Sequence, residues 1–172
     1  MAMQLLKVKV NGKQYEEEVD INWTLADFLR FKLNLTGTHI GCDTVSCGAC
    51  TVLLNNNSVK SCSIFAIQCQ NLNILTVEGI DPNTLQPLQQ AFKECFAVQC
   101  GFCTSGFLMT GTNIINNGCH LEAEEIAEEL KGNLCRCTGY DPIIQAIKKV
   151  QLEKLETQNS NEEKHILEGA ST

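Results

Sequence analysis

Apolar and polar residues alternate at the start of the chain. Leu6, Val8 and Val10 interleave with Lys7 and Lys9, Asn11-Gly12 comes next, and Gln14 to Val19 runs back. A period of two marks a half-buried strand, and Asn-Gly marks a two-residue hairpin turn, so residues 4–20 are predicted to form a hairpin. The period changes at Thr24. Leu25, Phe28, Leu29 and Leu33 fall near helical spacing behind a threonine able to cap, which predicts a helix over residues 24–35 stopped ahead of Gly37. Trp23 and Phe28 are assigned to the core. Thr51 to Leu54, Ser58 to Cys62 beyond an Asn55-Asn56-Asn57 turn, and residues 72–79 read as further strands.

Asp81-Pro82 closes this segment, and the pattern beyond it is helical. Residues 84–97 place Leu85, Leu88, Ala91, Phe92, Cys95 and Phe96 on one stripe. Residues 104–116 carry Phe107, Leu108, Ile114 and Ile115 and close at Gly118. Residues 122–131 put Ala123, Ile126, Ala127 and Leu130 on one face, with Gly132 as the stop. Glu122, Glu124 and Glu125 crowd the first turn, where the helix dipole favours them; they read as a solvated face. Asp141-Pro142 pairs an N-cap with Pro at the first helical position and opens a helix bearing Ile143, Ile144, Ile147 and Val150. Residues 155–172 are polar and lack periodicity, as in a tail that is disordered alone or ordered against a partner, with His165 on its surface. The expectation is an α+β chain. A small mixed sheet with one helix spans residues 1–80, a four-helix bundle spans 81–155, and a polar tail spans 156–172.

Composition narrows the function classes. At 172 residues the chain is one or two small domains, and 44% hydrophobic residues suffice for a modest core. A net charge of −7 makes it a poor partner for nucleic acid or anionic lipid, both of which need clustered Lys and Arg. No run of about 18 apolar residues is available to span a membrane. The 11 cysteines are odd in number, and the opening MAMQLLKVKVNGK has no unbroken apolar core of the signal-peptide kind. Both features argue against an exported disulfide framework and place the chain in the cytoplasm.

The chemistry lies in those cysteines. Cys42, Cys47 and Cys50, within GCDTVSCGACTV, have the C-x4-C-x2-C spacing of a plant-type [2Fe–2S] loop, which takes a later fourth thiol; Cys62 and Cys69 compete for that place. Zinc could use four such thiolates. The pairs Cys47–Cys50 and Cys100–Cys103 also look like redox dithiols, but a dithiol has no use for Cys42 and normally sits in a βαβ unit that is missing here. A c-type haem needs His after the second Cys, where Thr51 and Thr104 stand. The first set therefore favours iron–sulfur. A second set, Cys100, Cys103, Cys135 and Cys137, fits zinc or iron–sulfur by spacing alone; both its pairs sit beside predicted helix starts, which favour negative charge. Cys95 reads as a small buried hydrophobe, and Cys119 has no assignment. No G-x-G-x-x-G comes after a strand, so a dinucleotide site is not expected.

GCDTVSCGACTV, VKSC, QCGFCTSGF and GNLCRCTGY together resemble the small iron–sulfur subunit of the xanthine oxidase (molybdenum hydroxylase) family, over about residues 4–155. The family includes the small subunits of aerobic carbon monoxide dehydrogenase, aldehyde or glyceraldehyde oxidoreductase and nicotinate dehydrogenase. The resemblance implies a β-grasp ferredoxin-like domain with one cluster on Cys42, Cys47, Cys50 and Cys62. It implies a helical domain with a second cluster on Cys100, Cys103, Cys135 and Cys137. It further implies that Gln99 and Cys137 approach a molybdopterin on a large subunit, and that electrons leave singly to FAD on a medium subunit of a heterotrimer. A small aldehyde or carbon monoxide is the substrate favoured by overall likeness, with N-heterocycles open. One departure is Ser105, where the family usually has Pro in the CGFC-T-P-G block. The rival reading is a free ferredoxin, although such a carrier has no need of the helical half.

Overall fold

The computed structural model describes residues 2–118 and 120–169, with side-chain burial described through residue 157. The predicted hairpin is β1 (Met3–Val10) and β2 (Lys13–Asp20), paired antiparallel so that Val10 faces Lys13. Asn11 and Gly12 turn it with φ of 51° and 81°, the two positive angles that a tight primed turn demands. Leu6, Val8 and Val10 point into the core. With β3 (Thr51–Leu54), β4 (Asn57–Lys60) and β5 (Asn73–Leu75) they make one five-stranded sheet in the order β2-β1-β5-β3-β4. β1 and β5 run parallel, and the other pairs are antiparallel.

Two expectations in this half are corrected. The helix α1 (Leu25–Asp27) is capped by Thr24, whose hydroxyl accepts from the Asp27 N–H while the Asp27 carboxylate accepts from the Thr24 N–H. It then loosens into a π turn over Phe28–Lys32 and stops at Asn34, φ 57°, just short of the predicted residue 35. Gly37 serves packing instead: a Cβ there would lie 2.5 Å from Val77 Cγ1. The last strand is also shorter than residues 72–79. The Asn11 side chain takes over from the ladder at Thr76, accepting from its N–H at 2.9 Å and donating to its hydroxyl at 2.9 Å. Residues Val77–Gly79 then form a 3-10 turn. Phe28 is fully buried and Trp23 half-buried against the same core.

The helical half holds α2 (Pro82–Glu94), α3 (Thr104–Asn116), α4 (Ala123–Glu129) and α5 (Asp141–Gly169). Asp81-Pro82 is the start of α2 as well as a break. The Asp81 carboxylate accepts from the Asn83 N–H at 2.7 Å, and Pro82 loses nothing at a position whose N–H has no helical partner. The helix ends at Glu94, short of the expected residue 97, because Phe96 turns left-handed. α5 packs on α2, α3 and α4 around Leu88, Phe92, Phe107, Ile126, Leu130, Ile143 and Ile147. Glu122 is more than a solvated acid, since it pairs with Lys148 of α5. The tail expected from residue 155 is instead a continuation of α5 to Gly169. Its Glu, Leu, Lys and Gln are good helix formers uninterrupted by Pro. The His165 side chain and Cys119 lie outside the described residues.

The two halves share a seam. α3 lies on β3, and Met109 packs with Leu53 and Ile80 across it. No described helix is long and apolar enough to cross a membrane.

Candidate metal centres

The loop from Gly41 to Cys50 is wound by left-handed residues: Asp43, Val45 and Gly48 have φ of 51°, 61° and 69°. That path turns N–H groups inward, and the Cys42 sulfur accepts from the Thr44 and Cys47 N–H groups, each at 3.4 Å. Those donors, Cys47 first, pull the Cys42 thiol down to about 6. Lys60 clamps the crown of the loop from β4, donating to the Val45 carbonyl at 2.8 Å. The two glycines do what a loop wrapping sulfur requires of them. A Cβ on Gly41 would sit 3.2 Å from Cys47 Sγ, and one on Gly48 would sit 2.2 Å from the Gly132 carbonyl.

Cys62 enters from a 3-10 turn, Ser61–Ser63. Ser61 sets its position by donating to the Cys50 carbonyl through N–H (3.2 Å) and hydroxyl (2.7 Å). Burial, then the adjoining Cys50 thiol, then the more distant Cys42, push Cys62 up to about 12. Cys47 is raised too, by burial and by contact with Cys42. The four thiols thus fall into two interacting pairs, Cys42 with Cys47 and Cys50 with Cys62. Cys69 is elsewhere: it is fully buried in the sheet core, where burial alone pushes it up to about 11.

The second set repeats the scheme. Cys103 occupies the N-cap position of α3 without a side-chain capping bond, and Gly101 ahead of it has φ 83°. Cys137 Sγ lies 3.6 Å from Cys100 Sγ. Cys103 is pushed up to about 12 by burial and by the adjoining Cys135 thiol. Cys135 feels burial as well, but the Thr138 hydroxyl and N–H, at 3.2 and 3.5 Å, outweigh it and leave the thiol lowered. Only one of the two pairs sits at a helix start. Cys135 and Cys137 are held in a loop ahead of α5, because Gly139 and Tyr140 turn left-handed (φ 80° and 74°) before Asp141. The Tyr140 hydroxyl accepts from the Cys135 N–H at 3.1 Å. Gln99 is exposed beside the set, its amide donating to the Cys137 carbonyl at 3.1 Å.

Donor chemistry and arrangement fit two-iron clusters. Every donor is sulfur, and sulfurs in two pairs match two irons with two thiolates each. Among the described residues no three His, Cys, Asp or Glu side chains are grouped as around one metal ion.

The two loops are joined. The buried Asn133 amide donates to the Gly48 carbonyl at 3.0 Å and to the Thr51 hydroxyl at 3.3 Å, while its oxygen accepts from Thr110 at 2.9 Å. The Leu134 N–H donates to the Cys47 carbonyl at 2.8 Å. Nearer the surface, His39 stacks on Phe102 and donates through Nδ1 to the Phe102 carbonyl at 2.8 Å. Asn133, His39, Lys60, Thr138 and Tyr140 carry no spacing signal of their own. Membership of a motif block is the one sequence hint: GNLCRCTGY covers Asn133, Thr138 and Tyr140, VKSC covers Lys60, and His39 lies in neither.

Residues 8–71 match a family model described as a 2Fe-2S iron-sulfur cluster binding domain, and residues 76–148 match a [2Fe-2S] binding domain. Over 142 residues the chain is 46% identical to the nicotine 6-hydroxylase small subunit of Paenarthrobacter nicotinovorans, covering 83% of this chain and 86% of that one. The chain belongs to the small iron–sulfur subunits of the molybdenum hydroxylase family. It is also similar to the aldehyde oxidoreductase iron-sulfur-binding subunit PaoA of Escherichia coli, at 39% identity over 158 residues, covering 83% of this chain and 69% of that one. Among solved structures it superimposes on a chain of quinoline 2-oxidoreductase from Pseudomonas putida 86 with a TM-score of 0.82 and 39% identity, covering 91% of this chain and 97% of that one. As a small subunit of this family it carries two [2Fe–2S] clusters, works within an oxidoreductase and joins partner subunits.

Proposed function

We propose that this small subunit relays single electrons from a molybdopterin centre on a large subunit to FAD on a medium subunit. Cys42, Cys47, Cys50 and Cys62 hold one cluster and Cys100, Cys103, Cys135 and Cys137 the other. The observation that carries this reading is the gathering of each set into two interacting thiol pairs, with Cys137 Sγ 3.6 Å from Cys100 Sγ, on loops joined by the Leu134–Cys47 hydrogen bond. A bound cluster supplies one-electron chemistry that no side chain here has. The protein supplies thiolates, N–H donors to sulfur, and a fixed spacing between the two loops. Gln99 and Cys137, both exposed, face the molybdopterin. The β-grasp unit comprises residues 1–80 and a four-helix bundle begins at 81, its last helix running past residue 155 to Gly169. The working form is a cytoplasmic heterotrimer or its dimer.

Substrate contacts belong to the large subunit. The relatives named for nicotine and quinoline, at 46% and 39% identity, support an N-heteroaromatic substrate over carbon monoxide or glyceraldehyde. The 39% identity to PaoA supports an aldehyde as the second reading.

Metal analysis of the anaerobically purified complex tests the proposal. Four irons per small subunit, visible absorption and two EPR signals are expected. Two irons or fewer, or a colourless zinc protein, would overturn it. Co-purification with large and medium chains separates a subunit from a free ferredoxin.

A further inference from the structure

At the end of α2 a phenylalanine stands where a helix ordinarily takes glycine. The Phe96 N–H donates to the Lys93 carbonyl at 3.2 Å and the Ala97 N–H to the Phe92 carbonyl at 2.8 Å, the closing bonds of a left-handed stop. Phe96 adopts φ 56° there, a conformation in which a Cβ crowds the backbone carbonyl. No burial offsets that strain. The side chain is 81% exposed, more than any other large apolar residue described.

A single exposed apolar residue needs no explanation, but Phe96 has company. Val98 and Phe102 are 40% and 49% exposed, and Gln99 and Cys100 between them are exposed too. Cys137, 3.6 Å from Cys100, is also exposed. Between Glu94 and Glu122 the chain has no Asp, Glu, Lys or Arg. Aromatic enrichment and missing charge characterise the buried centre of a protein interface. A ring held by a fixed backbone loses little freedom on docking, which suits an anchor.

We propose that Phe96 anchors the docking of this subunit onto the molybdenum-bearing large subunit by filling an apolar pocket there. The inference rests on the reading that the Cys100–Cys137 cluster faces that subunit. The occupant is set by continuity: Phe96 precedes Cys100 by four residues, at most about 14 Å of chain. A protein docked close enough to exchange electrons at the exposed Cys100 and Cys137 therefore comes within reach of Phe96.

The test uses the co-purified holo complex, analysed by native mass spectrometry on dilution. Phe96→Ala and Phe96→Gly weaken large-subunit binding by about tenfold or more, with full iron content and both EPR signals kept. Phe96→Trp stays within about threefold, because an aromatic anchor is retained. Glycine also relieves the backbone, so the Phe96→Gly chain melts no lower than wild type, and its binding loss cannot come from misfolding. Unchanged large-subunit affinity in both truncations overturns the proposal. So does a loss that falls on the medium subunit, or on self-association of the small one. A wild-type chain that binds no molybdenum subunit sinks the functional reading itself; equal binding by wild type and truncations sinks only the anchor.

Discussion

The Asn133 side-chain amide donates to the Gly48 carbonyl at 3.0 Å, joining the second cysteine loop to the first inside the protein. With its bonds to Thr51 and Thr110 it satisfies a buried polar group in each half. Replacing it by alanine leaves the Thr110 hydroxyl without this acceptor and opens a small void. We expect Asn133→Ala to cost about 2 kcal/mol and lower the melting temperature by about 5 °C. Magnetic interaction between the two cluster EPR signals should weaken as the loops part.

Gly48 tests the same seam from the other side. It combines φ 69° with a backbone carbonyl 2.2 Å from where a Cβ would lie. Gly48→Ala is expected to cost about 3 kcal/mol or more, since strain and overpacking add. Gly12→Ala is the control: φ is 81° but nothing lies within 4 Å, so about 1 kcal/mol is expected. Melting curves of the two variants should separate clearly, and equal curves would remove the packing argument.

Cys47→Ser should abolish one cluster's EPR signal and leave the other, because the sets share no thiol. Cys137→Ser should do the converse and also impair substrate-dependent flavin reduction. Retention of both signals in Cys47→Ser would refute the assignment of that thiol.

Gln99 touches the second set through the Cys137 carbonyl rather than through a sulfur. Gln99→Ala should therefore keep both clusters while slowing the exit of electrons from molybdenum, read by stopped-flow reduction of the clusters with substrate. Unchanged kinetics would take Gln99 out of the path.

The parts of this molecule written in local pattern were legible. Alternation and Asn-Gly gave the hairpin, apolar stripes gave α2 to α5, and thiol spacing marked both loops. What escaped was decided by distant partners. β5 is cut short by the Asn11 side chain, and the helical segment opened by Thr24 loosens into a π turn and stops at Asn34, just short of the predicted residue 35. Spacing left Cys62 and Cys69 as equals; position separates them, one beside Cys50 and one in the sheet core. Asn133 looked like an ordinary loop residue because its partners are 85, 82 and 23 positions away.

That separation has a consequence for how the protein is made. While the polypeptide is still being synthesised, Gly48 has emerged and its seat has not. The bond that ties the first cysteine cup to the second can form only once Asn133, 85 positions after Gly48, has left the ribosome. Iron delivered before then would meet a first cup held by its own half alone, through Lys60 and Ser61.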